Sequence, residues 1–230
     1  MIKILTSIFF ITLSTLTFGK ENQLYLAQGN QSKIKSPELL NDIKNLKKKT
    51  KLQTIKNILR WKNKTFRGKS AKGKLIGKRD INEIYQSKKI TGCHDDGLVF
   101  VTVARALNIP SRLIDTTGIT WSKAFYKGSQ TLDQATGHVF VEVLIDSKWQ
   151  LVDTSYELII PNYDVYNPVI PIIHQGQKKG YYLMTKGKDT WDYGVNSLDD
   201  LLKLQKDFAK KINKLKITYP DCKIINLKDK

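Results

Sequence analysis

Apolar residues recur along the chain with two different periods, and the change of period locates its main elements. The run LVFVTVARALNIP is apolar on nearly every side, which predicts a buried helix that opens at Cys93 and ends near Asn108, because Pro110 cannot continue it. Two later segments are strand-like and indicate strands from His138 to Ile145 and from Lys148 to Asp153.

The remaining elements complete an α+β fold, in which helices pack on an antiparallel sheet. Ser197 and Asp200 approximate a capping box for a last helix with an apolar face. We expect a single domain over residues 46–230, with its core at about 80–195. The other predicted elements are a helix from Leu52 to Phe66, a short helix in DINEIY, strands from Ser111 to Asp115 and from Gly180 to Thr185, and the last helix over 198–216.

The spacing of the two central strands makes a geometric prediction. If Asp146 and Ser147 form a two-residue turn, His138 and Asp153 lie on one face of the hairpin as diagonal neighbours, roughly 7–8 Å apart at the backbone. A loop of odd length would place them on opposite faces. The same turn pairs Phe140 with Asp153.

Cysteine, histidine and aspartate occur here in the order of a thiol acyl-transfer site. A thiol attacks a carbonyl as the thiolate, an imidazole takes and returns the proton, and a carboxylate orients the imidazole. Cys93 would lie in the positive field of a helix N-terminus, which favours the thiolate. The alternative is that Cys93 is a small buried apolar residue.

The segment from about Asp80 to Trp191 resembles the transglutaminase-like domain of the papain-type cysteine enzymes. The matching blocks are GCHDDGLVFVTVARALNIPSRLIDT, GHVFVEVLIDSKWQLVDTSY and KGKDTWDYG. The resemblance implies a papain-like core with a nucleophile helix against an antiparallel sheet. It also implies that Cys93 is the nucleophile, His138 the general base and acid, and Asp153 the orienting carboxylate.

Other polar residues near Cys93 have simpler interpretations. His94 is interpreted as a polar residue of the first helical turn, because a sequence neighbour on a helix points elsewhere. Asp95 and Asp96 suit the first turn through the helix dipole. Zinc ligation is disfavoured, because the chain has three histidines and no second cysteine nearby, and we expect neither a metal nor a cofactor.

An oxyanion hole would need a donor beside the backbone N–H of Cys93. Gln86, Tyr85 and Trp61 are the upstream side chains that remain open for this role, although Trp61 is better explained by core packing.

The N-terminus indicates export. Lys3 precedes an apolar stretch from Ile4 to Phe18, which has the form of a signal peptide over residues 1–19 and is shorter than a membrane span. We therefore expect a periplasmic or secreted protein that begins with a polar, irregular arm over residues 20–45. Cys222 is then either a free thiol or the partner of Cys93 in a redox lock.

A high positive charge is the second informative feature of the chain. The chain has 39 basic and 21 acidic residues, a net charge of +18, and the stretch from Lys44 to Arg79 contains no acidic residue. The positive electrostatic field of this stretch attracts anionic envelope polymers or membrane surfaces. Nucleic acid is disfavoured, because aromatic residues do not interleave with the basic ones. A lysine-rich solvated face is the simpler alternative.

Two classes of function remain open. The first is a thiol enzyme, either an acyltransferase or a peptidase or amidase, that acts on peptide or side-chain amides of a protein or peptide substrate. The second is an inactive binding module that uses the basic face to hold an anionic partner.

Overall fold

A computed structural model of the chain describes residues 23–228 with the exception of 67, 70–74, 132–135 and 175, and for 68 and 69 the backbone alone. The expected signal peptide, residues 1–19, lies outside this range. The helices are α1 (Pro37–Ile43), α2 (Lys51–Thr65), α3 (Ile81–Ser87), α4 (Cys93–Ala106), α5 (Ile119–Tyr126) and α6 (Leu198–Asn213), with a 3₁₀ turn at Thr190–Tyr193. The strands are β1 (Gly68–Lys69), β2 (Lys89–Ile90), β3 (Ser111–Gly118), β4 (Gly137–Ile145), β5 (Lys148–Asp153), β6 (Leu158–Ile160), β7 (Val169–Ile170), β8 (Tyr181–Gly187) and β9 (Ile225–Asn226).

Strands β3 to β9 form one sheet in the order β7-β8-β3-β4-β5-β6-β9, and every neighbouring pair is antiparallel. Strands β1 and β2 form a separate, parallel pair. Helices cover the sheet, so the predicted α+β class is confirmed. Within the described residues, none of the helices combines the length and apolar character that a membrane crossing needs.

Helix α4 packs on β3 and β4 through a close approach at Gly97. A Cβ atom at Gly97 would lie 2.8 Å from Leu113 Cδ2 and 2.9 Å from Val139 Cγ1, closer than normal packing allows. The apolar residues of α4 are buried on all sides of the helix, as the sequence predicts. Asn108 adopts a left-handed conformation, with φ of 66°, and Pro110 follows, so the helix ends where the sequence indicates.

The β4–β5 hairpin has the predicted register. Ile145 pairs with Lys148 and Val141 pairs with Val152, so Asp146 and Ser147 are the two turn residues. Their φ angles are 47° and 63°, the left-handed values that a type I′ turn requires. The hairpin therefore places His138 and Asp153 on the same face of the sheet.

Helix α6 confirms the predicted helix with a shorter span. The Ser197 side chain accepts a hydrogen bond from the Asp200 backbone N–H, and Leu201 and Ile212 are buried. The helix ends at Asn213 rather than at residue 216, and Leu215, two residues beyond this end, is exposed.

The structure differs from the prediction of an irregular arm before residue 46. Helix α1 lies in this segment and buries Leu39 and Ile43, which are four residues apart on one helix face. Upstream of it, the backbone N–H groups of Gln31 and Ser32 donate to the buried carboxylate of Asp189. A buried carboxylate requires donors, and these residues supply them.

Candidate active site

Cys93 is the first residue of α4 and follows the extended residue Gly92. The residue as a whole is partly exposed. The free N–H groups and the dipole of the first helical turn favour negative charge at this position. The helix therefore assists ionisation of the thiol.

His138 and Asp153 form a buried pair next to the helix. Their side chains are joined by a bond of 3.0 Å between Nε2 and Oδ1, and both residues are about 1% exposed. Oδ1 also accepts the backbone N–H groups of Ser155 and Tyr156, each at 3.1 Å. Three donors thus hold Oδ1, and the carboxylate in turn holds the imidazole.

The bond to Asp153 occupies Nε2 of His138, so Nδ1 is the ring nitrogen left for the thiol. Nδ1 is buried and makes no hydrogen bond of normal geometry to any described residue. The ring packs edge-on against Phe140, with centroids 4.8 Å apart, which limits its rotation. Asp153 therefore selects the nitrogen that is available to Cys93.

The charges of the site favour an ion pair. Burial raises the pKa of the Cys93 thiol, but the imidazoles of His138 and His94 outweigh it and bring that pKa down to about 6. Burial lowers the pKa of His138, but Asp153 and Cys93 raise it to about 10. Burial raises the pKa of Asp153, but hydrogen bonds from His138 and His174 outweigh this effect and hold that pKa well below its usual range. At neutral pH these shifts favour a thiolate beside an imidazolium.

His174 also bonds Asp153, a contact that the sequence reasoning did not assign. Its Nε2 lies 2.9 Å from Oδ2 of Asp153, and its ring stacks on Tyr156 with centroids 4.2 Å apart. The hydroxyl of Tyr181 lies 2.9 Å from its Nδ1. The rarity of histidine, three in the chain, was the one available sequence signal.

His94 lies in the first helical turn, as predicted, but its side chain points toward Cys93 rather than away from it. Its ring is buried, with Nδ1 3.9 Å from the sulfur of Cys93 and Nε2 2.8 Å from Oδ2 of Asp115. Side chains on a helix lean toward its N-terminus, so residue 94 reaches back over the first turn, where Cys93 lies. All three histidines of the chain therefore gather around Cys93 and Asp153.

Asp95 and Asp96 are paired with cations, which limits their repulsion of a thiolate. Asp95 accepts from the guanidinium of Arg79 and from the backbone N–H of Thr91. Asp96 accepts from the ammonium of Lys62 and, at 2.7 Å, from the hydroxyl of Ser155. The two pairs also tie the start of α4 to the surrounding chain.

The three residues considered for the oxyanion hole are in different environments. The hydroxyl of Tyr85 donates to Asp42 at 2.6 Å, and burial raises its pKa to about 12. Trp61 packs edge-on against Phe66, in agreement with a core role. Gln86 is exposed. The Tyr85 hydroxyl is therefore engaged elsewhere.

One group of side chains has the composition of a metal site. The donor atoms of His138, Asp153 and His174 lie within 4.8 Å of one another. Two imidazoles and a carboxylate suit a divalent transition metal. Both Nε2 atoms already bond the carboxylate, however, so a metal would have to displace those contacts.

Cys222 is separate from Cys93. Both cysteines are free thiols, and Cys222 packs with the cluster of Ile114 and Phe140, whereas Cys93 packs with the cluster that contains Val139. Since neighbouring strand residues point to opposite faces, the two clusters lie on opposite sides of the sheet.

A cysteine at the start of a buried helix and a His–Asp pair on the adjacent antiparallel sheet define the fold of a papain-type cysteine enzyme. The chain belongs to the transglutaminase-like superfamily, whose family model matches residues 38–154, slightly more than half of its length.

The comparison with solved structures points to the same fold. A crystal structure of a protein from Cytophaga hutchinsonii, described as a "putative cysteine protease", superimposes with a TM-score of 0.50 at 15% identity. The alignment covers 76% of this chain and 50% of that chain, so this chain spans about half the length of that protein. A search of curated proteins gave no match. The likeness establishes the fold alone.

The charge balance of the site predicts the pH dependence of thiol alkylation. In a Cys222→Ser background, iodoacetamide should alkylate Cys93 with an apparent pKa of about 6, because the thiolate is the reactive form and is lost only as the pH falls below that value. His138→Ala should raise the apparent pKa toward that of an ordinary thiol, near about 8.5. A wild-type profile centred near 8.5 and unaffected by His138→Ala would contradict the ion pair.

Proposed function

We propose that the protein is a thiol-dependent enzyme that acts on peptide or side-chain amides, with Cys93 as nucleophile, His138 as general base and acid, and Asp153 as orienting carboxylate. The observation that carries the proposal is the arrangement of His138, whose Nε2 is held by a buried aspartate and whose imidazole lowers the pKa of the Cys93 thiol. This arrangement supports thiol acyl transfer.

The reaction follows from these contacts. The thiolate attacks the amide carbonyl, the C–S bond forms, and the carbonyl π electrons move to oxygen. When the C=O bond re-forms, the C–N bond breaks, and the leaving amine or ammonia takes the proton from His138. His138 then removes a proton from an incoming nucleophile, which attacks the thioester and releases the Cys93 thiolate.

The incoming nucleophile decides the product. Water gives hydrolysis, and an amine gives a new amide bond between donor and acceptor. The partial exposure of Cys93 supports access by a protein or peptide substrate. If the expected signal peptide directs export, that substrate is an envelope or extracellular protein.

Substitutions at the triad test the proposed reaction. Cys93→Ala should abolish acyl-enzyme formation, since no other group replaces the nucleophile, and His138→Ala should reduce turnover by roughly 10²–10⁴-fold, the usual contribution of a general base. Asp153→Asn should retain partial activity, because the amide still accepts hydrogen bonds.

The measurement is a screen of amide donors, with amine acceptors present or absent, that records ammonia or amine release and thioester mass. Cys222→Ser is the matched control and should retain full turnover, because Cys222 packs in a different core cluster from Cys93. Full turnover by Cys93→Ala would disprove the mechanism.

A second candidate function uses the basic face. Helix α2 and the segment before it line a shallow groove with basic and amide side chains, which supports contact with an anionic polymer or membrane surface. The lining residues are Lys48, Lys49, Gln53, Lys56, Asn57 and Arg60. This binding would accompany the enzyme activity, or replace it if the Cys93 thiol proves unperturbed.

Electrostatic binding at this groove predicts a steep salt dependence. Binding to vesicles that contain anionic lipid should weaken severalfold or more between low and physiological salt, because surface charges are screened within about 8–10 Å. Replacing Lys48, Lys49 and Lys56 with glutamine should weaken binding at low salt, whereas glutamine at Lys203, Lys206 and Lys210, exposed on α6, serves as a charge-matched control. Salt-insensitive binding would exclude the electrostatic explanation.

A further inference from the structure

Two His–Asp pairs, rather than one, approach the sulfur of Cys93. The His138–Asp153 pair accounts for the proposed triad. The second pair joins Nε2 of His94 to Oδ2 of Asp115 at 2.8 Å, and Nδ1 of His94 lies 3.9 Å from the sulfur, within range of a hydrogen bond to sulfur. The proposed triad does not use this second pair.

The two pairs come from opposite faces of the sheet. Asp115 lies opposite Val139 in the β3–β4 ladder, and Val139 faces α4 at the close contact with Gly97. His138 is the next residue along β4 and so points to the other face, where it contacts Phe140 and Tyr181. The sulfur therefore has one imidazole on each side.

We propose that His94, held by Asp115, is a second catalytic residue at Cys93, a cationic hydrogen-bond donor whose Nδ1–H bonds the sulfur and keeps its proton throughout the reaction. This inference rests on the proposed function for its role in turnover, and Asp115 is the positioning residue.

The protonation of His94 follows from its contacts. Asp115 is 1% exposed, so its negative charge needs a partner, and Nε2–H of His94 provides one. A neutral ring with its proton on Nε2 would present a lone pair to the thiolate. Burial lowers the pKa of His94, but Asp115 and Cys93 raise it well above its usual range, which supports the doubly protonated ring.

The other titratable groups around the His94–Asp115 pair are either neutral or paired, so they do not change the charge of His94. The hydroxyl of Tyr193 lies 3.5 Å from Oδ2 of Asp115, and burial raises its pKa well above its usual range, so it stays neutral. On α4 itself, Asp95 and Asp96 are paired with Arg79 and Lys62. His138 is the other cation beside the sulfur.

A second cationic donor at the sulfur stabilises charge at a step of the catalytic cycle where His138 is neutral. His138 gives its proton to the leaving amine, so in the acyl-enzyme it is neutral and acts as a base. The thioester then breaks at the C–S bond, and negative charge returns to the sulfur. The donor Nδ1–H of His94 is in place to stabilise this charge, because its own proton has not moved.

The test measures the pH profile of Cys93 alkylation in four proteins, all in the Cys222→Ser background: the parent, His94→Gln, His138→Ala and the double variant. Glutamine is chosen because its amide can still donate to Asp115 while the ring charge and the Nδ1–H are lost. Thermal unfolding of each variant checks that the fold is kept.

Each single variant should lower the alkylation rate at pH 6 roughly tenfold, and the double variant should lower it by roughly 150-fold, to the thiolate fraction of an ordinary thiol with a pKa near 8.5. The proposal would be overturned if the pH profile of His94→Gln matched that of the parent and the profile of the double variant matched that of His138→Ala. Loss of turnover with an unchanged profile would mean that His94 is structural, and would also overturn it.

Asp115→Asn supplies a second route if His94→Gln fails to fold. Asparagine still accepts the Nε2–H bond but lacks the charge, so His94 should lose its proton and the thiol pKa should rise as in His94→Gln. An unchanged profile would count against the proposal. Because alkylation needs no substrate, these outcomes are separate from the amide screen, whose failure would concern the proposed function alone.

Discussion

The two-residue turn at Asp146 and Ser147 is the constraint on which the candidate site depends. Side chains alternate between the faces of a strand, so one residue more or less in this turn would move Asp153 away from His138. Both turn residues adopt positive φ angles, as a type I′ turn demands. Alternate residues of β4 and β5 are buried in two different core clusters, which opposes a shift of the strand register by one residue. The position of the His138–Asp153 pair is thus decided several residues away, at the far end of the hairpin.

Around this pair, the acidic side chains near the start of α4 are matched by basic side chains. Four carboxylates lie near the start of α4, and each has a dedicated partner: Asp153 has His138 and His174, Asp115 has His94, Asp95 has Arg79, and Asp96 has Lys62. Because the carboxylates are matched, the imidazoles can stabilise a thiolate instead of being outweighed by negative charge. The helix N-terminus adds to the same effect.

Local sequence signals predicted the hairpin and the nucleophile helix, because turn chemistry, strand alternation and a proline stop act over a few residues. The same signals failed for His174 and Asp115. His174 comes from the connection between β7 and β8, and its approach to Asp153 depends on the sheet order, which spacing does not encode. His94 was assigned to the first helical turn correctly, but its direction was misjudged, because a helical side chain covers the turn before its own Cα. The helix over Pro37–Ile43 was missed because the segment is polar apart from a few apolar residues such as Leu39 and Ile43.

The central claim is that Cys93 is a thiolate flanked by imidazolium groups, and nitrogen-15 NMR of the histidine side chains tests it most directly. The chain has three histidines, so assignment by single substitutions is practical. At pH 8, where an ordinary imidazole with a pKa near about 6.5 is neutral, His138 and His94 should both show two protonated nitrogens. Alkylation of Cys93 removes the negative charge and should lower the pKa of both. If His138 and His94 are singly protonated at pH 8 and unchanged by alkylation, the account of the site is wrong.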